Sequence, residues 1–406
     1  MTETNPFDLL DSIDWSALRH TYGSTWDVPA QLRALRSGNA EIKENAQRSL
    51  CSNVFYQGDR YEATAYAVPC LLNILEASSS STFGRVFLID LLVHLALGYA
   101  DTFLPNGVNL PEWQEPAEKK QGPEFEAEIH QSHEAYKAVK AGVPVSQTCL
   151  DHYSVYVRSW AAYALAWFPG EASGEGYRDS VTVLKGALEK EEDTVVLASV
   201  IISLGLLNGR FDDARPEGID ELVSRLRSYS TDARPLVRWA TAVALIRIRY
   251  EKPEHVDTLI SSLADRPFKG LDSRECSGRT SFPFKEGDVA GYSVKVLGTI
   301  NADDYPGAAT AIFDALPGSS GIGTIMLLEG LLALVFGPEP EHMKVTPFGQ
   351  LNLVQQRTVT ALAETDDKMW ERADFKYPLD IWDIPAGSRG DCRAYVGLPV
   401  IGYSDI

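Results

Sequence analysis

The stretch VRSWAAYALAWFPG at 157–170 recurs in altered form as VLASVIISLGLLNG at 196–209 and as VRWATAVALIRI at 237–248, with looser copies starting at Val289 and Thr324. In the first copy Val157, Ala161, Ala164, Leu165 and Phe168 put an apolar or small residue at i, i+4, i+7, i+8 and i+11. That is the period of one buried helix face. The copies start 39, 41, 52 and 35 residues apart, the spacing of arrays whose unit is a pair of helices. The predicted fold is therefore all-α: a right-handed α-solenoid of helix pairs running as one domain through 1–406.

Working outward, 28–36 and 41–55 read as a first helix pair split by Ser37-Gly38-Asn39. The next two helices are 64–77, carrying AVPCLLNILEA, and 84–97, carrying VFLIDLLVHLAL. Partner helices for the repeated phrase fall at 181–190, 218–229 and 253–264. Asp151 and Asp232 stand in the turns before Val157-Arg158 and Val237-Arg238. There a carboxylate can cap amides and the arginine can tie adjacent turns together.

Two segments break the pattern and are expected as insertions on the rim. One covers 99–148 and combines the Pro- and Trp-bearing run DTFLPNGVNLPEWQEPAEKKQG with a strongly charged helix at 124–141. The other, 267–285, is the turn-rich PFKGLDSRECSGRTSFPFK. Long unpatterned loops of this kind are either functional or mobile. The tail, 366–406, carries Trp370, Phe375, Tyr377, Trp382 and Tyr395 among prolines, too aromatic for a free end, and is expected to cap the last repeat.

An excess of 56 Asp and Glu over 37 Lys and Arg leaves a net charge of −19, which repels phosphate backbones and argues against nucleic acid as a partner. It would speed encounter with a basic protein, and it would equally serve to keep the chain dispersed. Apolar content of 45% and charged content of 23% belong to an ordinary folded protein. The five cysteines, Cys51, Cys70, Cys149, Cys276 and Cys392, are scattered and form no C-x-x-C, so neither a zinc site nor a disulfide framework is expected. The opening MTETNPFDLLDSIDW lacks the basic and apolar regions of a signal peptide, and no apolar run is long enough to span a membrane. A reducing, cytoplasmic setting is expected, with no membrane partner.

The phrase V-R-x-x-x-A-x-A-L with an aspartate five or six residues upstream, and the A-V-P-x-L-L-x-x-L helix at 67–75, resemble HEAT-like (armadillo-like) repeats of the phycobilisome-lyase type. The Val196 copy departs from that pattern in lacking the arginine. Over nearly the whole chain, DWSALRHTYGSTWDVPAQLRAL, NVFYQGDRYEATAYAVPCLLNILE, LALGYADTFLP, HYSVYVRSWAAYALAWFP, FPFKEGDVAGYSV and RGDCRAYVGLP resemble a family of single-domain microbial HEAT-repeat proteins. That family carries no agreed activity, so the resemblance implies a fold and not a mechanism. In the wider superfamily some members are scaffolds, some attach bilins, and some excise alkylated bases from DNA; the last needs a basic groove, at odds with this charge.

Three clusters carry chemistry. His152, Tyr153, Tyr156, Arg158 and Trp160, followed by Tyr163 and Trp167, are dense in the residue types of binding hot spots, although Tyr163 and Trp167 equally suit gaps between repeats. Glu286 and Asp288, close to Tyr292, could serve acid–base work or, for Asp288, cap the helix that starts at Val289. His130 and Glu134, four apart on the charged helix with Glu126 and His133 nearby, would supply two metal ligands and no third. A smaller polar cluster, Tyr56, Gln57, Asp59, Arg60 and Tyr61, reads as a turn. No metal or cofactor is expected, and G-x-S-x-G, Walker, Rossmann, H-E-x-x-H and C-x-x-C motifs are absent.

Two functions follow. One is a cytosolic interaction scaffold that holds a protein partner, basic in character, on an acidic concave face, in the manner of an inhibitor or immunity protein. The alternative is a small-molecule binder or non-standard enzyme, its pocket roofed by the two insertions beside His152 and Trp160. The first predicts an open groove, the second a closed and largely apolar pocket.

Overall fold

The computed structural model describes residues 7, 9–77, 81–109, 123–169, 179–209, 218–264, 268, 271, 273–276, 279–340 and 345–400, with backbone alone at 123–126, 264 and 274–276. Among them are nineteen α-helices, several short 3-10 turns and three two-stranded hairpins. The protein is thus mostly helical, and none of the described helices is long and apolar enough to cross a membrane. Its contacts divide it into two compact units, Met1–Asp220 with Gly270–Gly287, and Glu221–Lys269 with Asp288–Ile406.

The first unit opens with the hairpin β1 (Arg19–His20) and β2 (Gly23–Ser24), then α1 (Val28–Ala34) and α2 (Ala40–Val54). Asn39 starts α2 by accepting from the amides of Glu41 and Ile42 at 2.9 and 3.2 Å. A second hairpin, β3 (Phe55–Tyr56) and β4 (Asp59–Arg60), leads to α3 (Glu62–Glu76) and α4 (Thr82–Leu97). The polar cluster read as a turn is therefore a turn flanked by paired residues, with Gln57 at φ 53° and Gly58 at φ 99°. Two consecutive left-handed residues match the twist of a tight hairpin.

The charged helix is α5 (Pro123–Ala141), followed by the short α6 (Val143–Cys149), α7 (Val155–Leu165), α8 (Ser180–Lys190) and α9 (Thr194–Asn208). α5 packs on α3 and α4. Its inner face buries Ala135, Tyr136 and Val139, and the Tyr136 hydroxyl donates to the Trp167 carbonyl at 3.2 Å. α4 packs on α7, and α7 on α9, with α8 against α9. α4 and α9 are apolar around nearly their whole circumference, burying Val86–Leu97 except His94, and Val196–Leu206. A helix surrounded by others reads this way.

In the second unit α10 (Ile219–Arg227), α11 (Pro235–Arg247), α12 (Pro253–Ala264), α13 (Val289–Leu297), α14 (Pro306–Ala315) and α15 (Ile322–Phe336) precede α16 (Leu353–Glu364), α17 (Asp367–Trp370), α18 (Ala373–Ile381) and α19 (Arg389–Tyr395). The phrase helices α11, α13 and α15 again touch in succession, with α12 against α11 and α13, and α14 against α15. α15 and α13 cross closely because Gly330 faces Val294, where an added Cβ would fall 2.0 Å from a Val294 methyl. From the tail, α18 packs on α15, and Trp370 and Phe375 are buried edge to face at 5.3 Å. Trp382 donates to the Gly337 carbonyl at 3.2 Å, whereas Tyr377 is exposed.

The repeated arginine does the same job in both units. Arg158 Nη1 donates to the His152 and Tyr153 carbonyls at 3.0 and 3.1 Å, and Arg238 Nη1 to the Asp232 and Ala233 carbonyls at 2.6 and 3.0 Å. Each arginine so closes the turn six residues upstream. The two aspartates differ. Asp151 pairs with Lys190 and caps no amide of its helix, whereas Asp232 pairs with Arg234 and its Oδ1 accepts the backbone amide of Arg234, the residue just ahead of the helix, at 2.8 Å. Both lie too far before the first helical turn, at Val155 and Pro235, to reach its amides.

Small hydroxyls inside the repeated phrase sit at helix crossings. Ser159 Oγ meets Ser199 Oγ at 2.9 Å, and Ser203 Oγ donates to the Ala162 carbonyl at 2.8 Å. In the second unit Ser293 Oγ accepts from Trp239 Nε1 at 2.7 Å and lies 2.7 Å from Ser262 Oγ. Buried hydroxyls satisfied in this way register one helix on the next at little desolvation cost.

Candidate functional site

The best-furnished cleft lies in the first unit, about 320 Å³ in volume. α4 supplies Asp90 and His94, one turn apart on the same face. Gly98, at φ 76°, ends α4 and turns the chain into the 3-10 turn Ala100–Phe103, which brings Tyr99, Ala100 and Asp101 to the wall. α7 adds Trp160 and Tyr163, and the segment 279–286 adds Arg279, Thr280, Pro283 and Glu286. The start of the first interrupting segment and the end of the second thus line one cleft.

Segment 279–286 is held firmly. Strands β5 (Arg274–Cys276) and β6 (Arg279–Thr280) pair ahead of it, and Trp160 Nε1 donates to the Thr280 carbonyl at 3.1 Å. Phe282 and Phe284 are fully buried, Phe284 edge-on to Tyr163 at 5.0 Å. Arg279 pairs with Asp90 while its guanidinium lies 5.0 Å above the Phe87 ring. Lys285 and Glu286 both take φ 50°, a left-handed backbone that costs non-glycine residues of order 1–3 kcal/mol each. The Lys285 amide donates to Asp101 Oδ1 at 3.3 Å, and Glu286 is exposed at the mouth.

Asp90 and His94 form the cleft's titrating pair. His94 Nδ1 lies 3.1 Å from Asp90 Oδ1 and 2.9 Å from the Asp90 carbonyl, two acceptors that place the proton on Nδ1 and leave Nε2 across the ring. Phe55 and Tyr99 pack edge-on against the imidazole at 5.3 and 6.3 Å. Burial opposes the imidazolium, but the Asp90 carboxylate outweighs it, and the His94 pKa is raised. Burial likewise opposes the Asp90 carboxylate, and His94 and Arg279 together hold its pKa below the ordinary value.

The residues singled out in the sequence are dispersed. Trp160 and Glu286 meet in the cleft. His152 and Tyr153 stack at 4.3 Å outside its lining, with His152 Nδ1 accepting from the Ser154 amide at 3.1 Å and Tyr153 82% exposed. Tyr156 is half-buried on α7. Besides its carbonyl bonds, Arg158 makes a bidentate pair with Glu191 at 2.8 and 3.1 Å. Asp288 and Tyr292 belong to the second unit: Asp288 caps α13 by accepting from the Gly291 amide at 2.8 Å, and Tyr292 is buried edge-on to Trp239 at 5.6 Å. Among the described residues no group of three His, Cys, Asp or Glu could hold a metal. Glu134 pairs with Lys137, and the Glu126 side chain lies outside the described residues.

Asp90, His94, Tyr99 and Arg279 escaped the sequence reading. A signal was present for the first two, since they are the ionisable residues of the otherwise apolar VFLIDLLVHLAL and stand four apart. For Arg279 there was none, because its partner lies 189 positions away. A second cavity of about 250 Å³ is lined by Leu35, Arg36, Lys43, Gln47 and Phe87 among others. Comparison with protein-family models, with curated proteins and with solved structures found no match.

Proposed function

We propose that this protein is an interaction module of HEAT-like helix pairs, its α-solenoid capped by the aromatic tail, that holds a basic protein partner in the cytoplasm. The observation that supports this reading is the cleft of the first unit. Six of its eleven described lining residues are charged or polar by side chain (Asp90, His94, Asp101, Arg279, Thr280 and Glu286), and Tyr99 and Glu286 stand exposed at its edge. Small-molecule pockets are mostly apolar and enclosed, whereas a mixed, aromatic-edged cleft suits side chains presented by another protein. A net charge of −19 favours a basic partner.

The test is capture from native extract at low and raised salt, with proteins and small molecules in the eluate both identified. A basic protein held stoichiometrically and released by salt supports the reading. A retained small molecule without a protein replaces it with the second reading, a ligand-binding or catalytic cleft. That second reading is favoured by one observation, the Asp90–His94 pair, whose environments move the two pKa values apart in the way acid–base sites require.

A further inference from the structure

The second cavity, of about 250 Å³, is walled by the first two helix pairs, α1 with α2 and α3 with α4. It shares no described lining residue with the cleft. Leu35 after α1, Ile74 on α3, and Phe87 and Leu88 on α4 give it an apolar wall, each of them buried. Its polar groups come from Arg36, Lys43, Gln47 and Ser81, so the described lining holds two cations and no carboxylate. Glu44 and Glu76, close by in sequence, are exposed and lie outside that lining. In a chain of net charge −19 this is a local reversal of sign.

Lys43 and Gln47 stand one turn apart on α2, on the stripe that continues through the buried Ala46, Leu50 and Val54. Such a stripe is ordinarily apolar, yet these two residues are polar and half-buried. Among the described residues neither side chain has a hydrogen-bond or ionic partner. Taking a polar or charged group partly out of water without a partner costs stability. A lysine can relieve that cost by laying its stem on apolar surface with its head in water; Gln47 has no such reach. Arg36, whose guanidinium lies 5.8 Å above the Phe7 ring, comes to the same cavity. The start of α4 adds to the same sign: Ser81 accepts from the Gly84 amide at 3.1 Å and both line the cavity, which sets the positive end of a 16-residue helix beside the two cations.

We propose that this cavity binds a small organic anion with an apolar body. Lys43, Arg36 and Gln47 hold its carboxylate, sulfonate or phosphate head, and a short alkyl or aromatic part lies against Leu35, Ile74, Phe87 and Leu88. Apolar walls with a few placed polar groups are the common form of small-molecule sites. The ligand is small, because the volume of about 250 Å³ falls below the roughly 300–1,000 Å³ of pockets for drug-sized molecules. Inorganic phosphate alone would leave the apolar wall uncovered, and a neutral hydrocarbon would leave Lys43 without a partner. The site goes beyond the interaction reading above and does not depend on it, since cavity and cleft have separate linings.

The test titrates octanoate and phenylpropionate into the full chain by calorimetry, with the Ile74 δ-methyl followed by NMR. Octanol, octylammonium and inorganic phosphate serve as the neutral body, the cationic counterpart and the head alone. At least one of the two acids is expected to bind saturably and to shift the Ile74 methyl, and octanol and phosphate to bind about tenfold more weakly or worse. Octylammonium should not displace the acid, although the acidic chain as a whole attracts it. Lys43→Gln is expected to weaken the acid about tenfold, and Lys43→Gln with Arg36→Gln by more. Lys43→Arg should retain most of the affinity, and Lys368→Gln, an equal charge change outside the lining, all of it. Absence of saturable binding by both acids, octanol binding as tightly as octanoate, equal affinity in wild type and double variant, or an unmoved Ile74 methyl overturns the proposal. If the double variant melts early, the order of octanoate, octanol and octylammonium on the wild-type chain, together with Lys43→Arg, decides the matter.

Discussion

Two histidines pull stability in opposite directions with pH. His94 has a raised pKa, so its imidazolium contributes stability that is fully present below pH 6.5 and is lost as pH rises through the folded value. Asp90→Asn is expected to move the His94 titration, followed by NMR, to lower pH; an unchanged titration would mean that Asp90 does not set it. His255 is 4% exposed, and its burial holds its pKa below the ordinary value. Its contribution is present above pH 6.5 and is lost as pH falls toward the folded value. His255→Leu should flatten the acid side of the melting-temperature profile between about pH 7 and 5. Persistent acid sensitivity would place the effect on another group. Neither role could be read from sequence, where both are histidines in helical segments: the Asp90 carboxylate sets the sign at His94 against burial, and burial sets it at His255.

At the scale of elements, the repeated arginine and the inter-helix glycine are the informative positions. Arg158→Leu removes two carbonyl bonds and leaves Glu191, 11% exposed by side chain, without its bidentate partner. A loss of about 2–4 kcal/mol is expected by chemical denaturation. Arg158→Lys should recover only part of it, since an ammonium cannot serve the carbonyls and the carboxylate in one plane. A loss under about 0.5 kcal/mol would mean that the clamp is ornamental. Gly330→Ala should cost about 1–3 kcal/mol by forcing α13 from α15, whereas Gly307→Ala, with nothing within 4 Å, should stabilise by about 0.4–1 kcal/mol. Most helices were legible in the sequence: 41–55 was expected and Ala40–Val54 is observed, 84–97 expected and Thr82–Leu97 observed, 253–264 expected and Pro253–Ala264 observed. The hairpins were not, because two-residue strands offer too few positions for an alternation to show. The one-sided burial of the charged α5 was likewise hidden beneath its exposed, ionic face.

For the whole molecule, the net charge of −19 would make association with the proposed basic partner a matter of ionic strength as well as fit. Raising salt from about 0.05 to 0.5 M should slow the association rate by an order of magnitude or more and change the dissociation rate little. A salt-independent association rate would exclude electrostatic steering. What the sequence by itself determined was the mostly helical class, the positions of most helices before residue 300 and the sign of the net charge, because periodicity and composition are local or additive properties of a chain. What only the tertiary structure decided was the site. Asp90 and Arg279 meet across 189 positions, and Trp160 reaches the Thr280 carbonyl across 120. Such pairings arise when packed helices bring loops from distant parts of the chain to one place, and no local pattern records them.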